Sequence, residues 1–131
     1  MTTRQQISTN NQWENQYGYA RINKLGPAVF IGGTVACNPD GSPCEPNNPA
    51  AQTIRCYEII ENALKEIDLD RNSIMRSRIF VTDISNAHEI GLAHKAFFQD
   101  LNPCLTMIEV SRFIAPEYTV EIECDAYELG A

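Results

Sequence analysis

The run Val120-Glu121-Ile122-Glu123 constrains this chain more than any other segment. Its period of two puts Val120 and Ile122 on one side of a strand and Glu121 and Glu123 on the other. Such a strand is half buried, so it belongs to a sheet with one packed face and one face that carries a row of carboxylates. A second β-rich run, Thr106 to Phe113, precedes it across a break at Ala115-Pro116-Glu117. Carboxylates on a regular strand are held more firmly than on a loop, which allows them to be aimed.

The rest of the chain supplies partners for that sheet. Tyr17 to Lys24 alternates loosely, Gly26-Pro27 marks a turn, and Ala28 to Ala36 is apolar and β-branched, so the two runs predict a hairpin. Asn38 to Pro49 holds four of the seven prolines and reads as a loop. From Ala50 the period changes: Ile54, Tyr57, Leu64 and Ile67 form a stripe with Ile60 beside it, predicting an amphipathic helix that ends near Asp68. Ser73 to Thr82 predicts a strand. Asn86 with Glu89 three residues on resembles a capping box and opens a second helix, with Ile90, His94, Phe97 and Leu101 on one face, before Pro103. Cys104 to Phe113 and Tyr118 to Tyr127 close the chain as strands. The expected order is ββαβαββ, an α+β single sheet with two helices on one face. Residues 1–16, rich in Asn, Gln and Thr, are expected to be a flexible N-terminal segment, and 17–131 a single domain. Two helices cover one face only, so self-association through the other is expected, with Tyr19, Phe30, Leu105 and Met107 as candidates for the uncovered face.

Composition narrows the function classes. The chain has 131 residues and a net charge of −7, which opposes binding to nucleic acid, where a basic surface displaces counterions. No run approaches the ~20 apolar residues of a membrane span, and Met1 to Asn15 lacks the apolar core of a signal peptide. The five cysteines are odd in number and show no C-x-x-C, which fits a reduced, cytoplasmic setting. No cofactor motif is present: Gly32 and Gly33 are not followed by a Lys and form no phosphate loop, and neither His88 nor His94 makes a metal pattern with the cysteines. Both histidines read as packed or capping residues, and Cys37 and Cys44 as ordinary thiols flanking a loop.

The order and spacing of several short pieces resemble the Rid family, also called YjgF/YER057c/UK114. They are Gly18-Tyr19-x-Arg21 before the hairpin, Gly32-Gly33-Thr34 at the end of the second strand, Arg78-Ile79-Phe80-Val81-Thr82-Asp83-Ile84, Ala96-Phe97-Phe98, and the closing Val120-Glu121-Ile122-Glu123. The resemblance covers roughly Tyr17 to Tyr127. It implies a chorismate-mutase-like fold assembled as a homotrimer, with small-molecule clefts between subunits. Archetypal members hydrolyse enamines and imines such as 2-aminoacrylate to a keto acid and ammonia. In those members an Arg early in the fourth strand of that order grips the substrate carboxylate, a task that suits a planar guanidinium.

This sequence departs from the pattern at that position. The matching run is Pro103-Cys104-Leu105-Thr106, with Leu105 where the Arg stands, and Met107 where archetypal members often carry Cys. Gly91 replaces a ligand-contacting Asn of some members, and Gly32 a common Ser. Leucine offers neither charge nor donor to a substrate carboxylate.

The resemblance implies Glu121 as the catalytic carboxylate, and Tyr19, Gly32, Gly33, Leu105 and Met107 as lining of the ligand cleft, with Arg21 as a rim cation that could stand in for the missing Arg. From the residues alone, Glu121 reads equally as a solvated strand carboxylate, Tyr19 as an interface tyrosine and Arg21 as half of an ion pair. Glu109 and Glu123 read as structural or exposed. Three functions are in view: an imine or enamine hydrolase (deaminase) for a less acidic substrate, a binding or regulatory module without turnover, and an endoribonuclease. The acidic charge weighs against the third.

Overall fold

The computed structural model describes residues 3–130. Its elements are β1 (Gln5–Ile7), α1 (Gln12–Tyr17), β2 (Ile22–Leu25), β3 (Ala28–Val35), α2 (Pro49–Lys65), β4 (Ile74–Val81), α3 (Ala87–Phe98), β5 (Cys104–Glu109) and β6 (Val120–Tyr127). From β2 onward the order is the expected ββαβαββ. Two short elements stand in front of it: β1 pairs with β2, and α1 ends on Gly18, whose φ of 74° supplies the left-handed cap. The strand expected from Tyr17 begins instead at Ile22, because Tyr17 closes α1.

All six strands form one sheet in the order β1-β2-β3-β6-β4-β5. Neighbours are antiparallel except β4 and β5, which run parallel. Two connections cross over: β3-α2-β4, spanning the central β6, and β4-α3-β5. Both advance in the same direction along the sheet, so a shared hand puts both helices on one face. There α2 contributes Tyr57, Ile60 and Leu64 to the core and α3 contributes Ile90, Phe97 and Phe98, against Ile79 and Ile122 of the sheet. The stripe read on α2 is the buried stripe, with Ile54 and Ile67 packed at its edge.

Local chemistry sets the helix starts. Asn48 caps α2 by accepting from the Ala51 amide, and Pro49 fills the first turn. The capping box expected at Asn86 does not form: Asn86 makes no side-chain cap bond. A 3-10 turn over Ile84–Asn86 leads into α3 instead, and Asp83 caps that turn through the amide and hydroxyl of Ser85. His94 lies 8% exposed among Tyr57 and Phe98, a packed core histidine.

On β6 the alternation holds: Val120 and Ile122 are fully buried under the helices, and Glu121, Glu123 and Asp125 lie on the open face. Phe30 is 57% exposed there, in register with Asp125. The placement expected for Leu105 and Met107 needs correction. In the parallel ladder Leu105 lies opposite Ser77 and Met107 opposite Ile79, both on the helix-covered face. Met107 accordingly packs against the core, while Thr106 and Ile108 share the open face with Arg78 and Phe80. The parity of β5 is set by its register with β4, which the β5 residues do not reveal on their own.

Candidate functional site

The site grows from an irregularity in β3. Ile31 pairs with Cys124 and Thr34 with Ile122, so three steps on β3 oppose two on β6. The extra residue is taken up at Gly32-Gly33 as a β-bulge. It keeps both Ile31 and Thr34 buried while turning the glycines toward the open face. A Cβ at position 33 would meet the Glu121 carboxylate, 2.5 Å from Oε2 and 3.2 Å from Cδ, so any larger residue there must displace that side chain. The carboxylate of Glu121 therefore rests on the bare Cα of Gly33. At Gly32 the nearest atoms to an added Cβ are carbonyl oxygens at 3.7 and 3.9 Å, ordinary contact.

Glu121 is half buried, with the uncharged Val35 and Phe80 as its cross-strand neighbours. Burial raises its carboxyl above the ordinary range; Arg21 opposes that shift and Glu123 adds to it. A carboxylate so placed holds a proton more readily than a solvated one, which suits proton exchange with water nearer neutral pH. Its neighbours on the open face differ. Arg78 reaches Glu123 at 3.5 Å and Asp125 at 3.3 Å, and Arg76 reaches Asp125 at 3.9 Å. Glu123 and Asp125 are thus paired along the strand, and Glu121 is left with an apolar row beside it.

Arg21 is not a rim cation. Its side chain is 5% exposed and faces inward. Nη1 donates to the carbonyls of Gly32 (3.3 Å) and Gly33 (2.5 Å) and to Thr34 Oγ1 (3.0 Å), while Nη2 lies 3.7 Å from Glu14 Oε2. Tyr19, 43% exposed, has its ring 5.9 Å from the Arg21 guanidinium. A recess of about 710 Å³ opens beside Tyr19, with Gln6, Ser8, Asn15 and Asn23 on its walls and Glu121 outside it.

Two contributors were missed by sequence reasoning. Glu14, 3% exposed, accepts from the Thr9 amide and hydroxyl and pairs with Arg21. It sat among Asn and Gln residues with nothing to mark it. Gln52, fully buried on α2, donates to the Glu45 and Glu117 carbonyls and accepts from the Thr119 amide and hydroxyl. All its polar atoms are satisfied, and it fixes the chain one residue before β6 and so the entry to Glu121.

The expected site residues fall into two groups. Tyr19, Arg21, Gly32, Gly33 and Glu121 cluster around the bulge. Leu105 and Met107 lie two strands away, roughly 10 Å in strand spacings, and on the opposite face of the sheet. One chain does not bring the groups together. Among the described residues no cluster of three or more His, Cys, Asp or Glu is arranged to hold a metal ion.

The sequence matches the family described as Endoribonuclease L-PSP over residues 9–128. The chain belongs to the Rid/YjgF family. A solved YjgF/YER057c/UK114 family member from Mycobacterium tuberculosis is 36% identical, with a TM-score of 0.86, covering 95% of this chain and 99% of that one. The YjgF gene product of Escherichia coli, at 23% identity and a TM-score of 0.82, shares the fold over 95% of this chain and 99% of its own. An uncharacterized protein of Streptomyces coelicolor is 29% identical over 92% of this chain and 90% of its own length. The fold is thus the chorismate-mutase-like one of Rid/YjgF proteins. Within this Rid/YjgF chain Leu105 stands on β5, 41% exposed, a neutral side chain at the position the family resemblance gives to Arg.

Proposed function

We propose that this chain is a homotrimeric small-molecule protein that hydrolyses imines or enamines lacking a carboxylate, in clefts that two subunits form together. The observation that carries the reading is the Glu121 carboxylate lying half buried on the bare Cα of Gly33. One subunit supplies Tyr19, Gly32, Gly33 and Glu121; the neighbouring subunit supplies Leu105 and Met107. That division accounts for why one chain holds the two groups apart.

In this reading a water adds to the imine carbon while Glu121 accepts its proton. That proton passes to nitrogen to give a carbinolamine; Glu121 then takes the hydroxyl proton and delivers it to nitrogen as the C–N bond breaks, and a carbonyl compound and an amine or ammonia leave. Glu121 ends as it began. Leu105 and Met107 favour an apolar substrate surface, and Arg21, enclosed by Glu14 and the bulge carbonyls, offers no ionic grip to an acid. The family description speaks of an endoribonuclease, but a net charge of −7 and the pairing of Arg76 and Arg78 with acids weigh against RNA phosphates as ligands. Among the described residues no helix is long and apolar enough to cross a membrane. With five free cysteines we place the protein in the cytoplasm.

The test is a panel of imines with charged and uncharged substituents, given to the wild type and to Glu121→Gln. Uncharged imines should be hydrolysed, and Glu121→Gln should slow them by about 100-fold or more. Hydrolysis of 2-aminoacrylate should fall at least ~100-fold below that of an Arg-bearing family member in the same assay. If Glu121→Gln matches the wild type, the reading fails. Ligand binding that needs Glu121 but brings no turnover would make the protein a binding module instead.

A further inference from the structure

Arg21 is buried, charged and far from idle, yet the reaction just described gives it no substrate contact. Three acceptors on consecutive residues, Gly32, Gly33 and Thr34, converge on its Nη1, and these residues make the bulge. The backbone joins the same two segments: the Gly32 amide donates to the Arg21 carbonyl at 3.0 Å, and the Arg21 amide to Ile7 of β1 at 2.9 Å. On its other side Nη2 meets Glu14, whose own carboxylate ties down Thr9. Arg21 Nε is buried without a hydrogen-bond partner among the described residues. The guanidinium thus keeps an unmet donor, and a single acid at 3.7 Å balances its charge.

We propose that Arg21, held in place by Glu14, is a positioning residue for the Glu121 carboxylate: it clamps the Gly32–Gly33 bulge on which that carboxylate rests and sets a buried positive charge beside it. The role rests on the reading of Glu121 as the base of the site. The clamp acts through the backbone, since the carbonyl of Gly33 is bound to Arg21 while its Cα carries Glu121. The charge acts through space, and it opposes the rise that burial imposes on the Glu121 carboxyl. Other groups facing Glu121 are few. Glu123 on β6 pushes the carboxyl further up, and Phe80 on β4 and Val35 on β3 are uncharged; across the sheet, Cys56 on α2 is a buried thiol whose own pKa is raised by burial, so it stays neutral. Among the described residues, Arg21 is the cation that opposes the rise of the Glu121 carboxyl. Glu14 modulates it from the N-terminal segment, which makes α1 part of the site's support.

The experiment is a pH titration of the side-chain carboxyl carbons by NMR on the ligand-free protein, with Glu121→Gln identifying the Glu121 signal. Arg21→Met should shift the Glu121 midpoint upward and disturb the amide signals of Gly32 and Gly33. Arg21→Lys keeps the charge but not the span of the fork; its midpoint should stay nearer the wild type than that of Arg21→Met, with the same two amides disturbed. Glu14→Gln leaves Arg21 less balanced and should shift the midpoint downward. A folded Arg21→Met with an unchanged midpoint overturns the proposal. Should Arg21→Met not fold, a Glu14→Gln midpoint equal to the wild type overturns it equally. No substrate enters this measurement, so hydrolysis that survives Glu121→Gln would remove the proposed reaction without touching the titration result.

Discussion

At the scale of single residues, buried polar groups divide into satisfied and unsatisfied ones, and the division shows which titrations matter. Gln52 meets all its partners, whereas His94 has a buried Nε2 with none among the described residues. Burial lowers the His94 pKa from its usual 6.5. The unfolded chain therefore binds a proton near pH 6.5 that the folded chain refuses, and the contribution of neutral His94 to stability is lost as pH falls below that value. His94→Leu removes this term. The thermal midpoint of the wild type should drop more steeply between about pH 7 and 5 than that of His94→Leu. Parallel pH curves would show that His94 does not titrate with folding. Its packed role was legible in the sequence, from its place on the apolar side of α3. Glu14 was not legible: its partners, Thr9 and Arg21, lie on segments whose meeting depends on the β1–β2 pairing.

At the scale of elements, periodicity was legible wherever one element packs on one face. The stripe of α2 and the alternation of β6 follow directly from burial on the helix side of the sheet. Irregular features left weaker marks. Two adjacent glycines in β3 were visible in the sequence, but the bulge they form is a matter of register with β6. The face of β5 likewise depends on pairing with β4. The bulge yields a prediction of its own. Gly33→Ala puts a Cβ against the Glu121 carboxylate, which is the free end of a side chain and can swing away. Stability should change by no more than about 1 kcal/mol, while ligand binding or turnover should fall by roughly 10-fold, because the carboxylate is displaced rather than removed. Chemical denaturation and the imine panel together measure the two effects. A large loss of stability with intact function would mean that the contact supports the fold and not the site.

At the scale of the whole molecule, the sheet has one covered face and one open face, and the open face carries Phe30, Phe80, Ile108 and Tyr127 among paired charges. The proposed site is incomplete in one chain, because β5 presents Leu105 and Met107 two strands from Glu121 and on the other face of the sheet. The open face was readable from the order of elements, since two helices cannot cover two faces. The face taken by Leu105 and Met107 was not, because it depends on the parity of β5. The proposed function stands on assembly: without a second copy, Leu105 and Met107 do not meet Glu121 and the proposed cleft does not form. Native mass spectrometry of the purified chain at micromolar concentration tests this most directly. The account predicts a trimer as the dominant species, and a dominant monomer would contradict it.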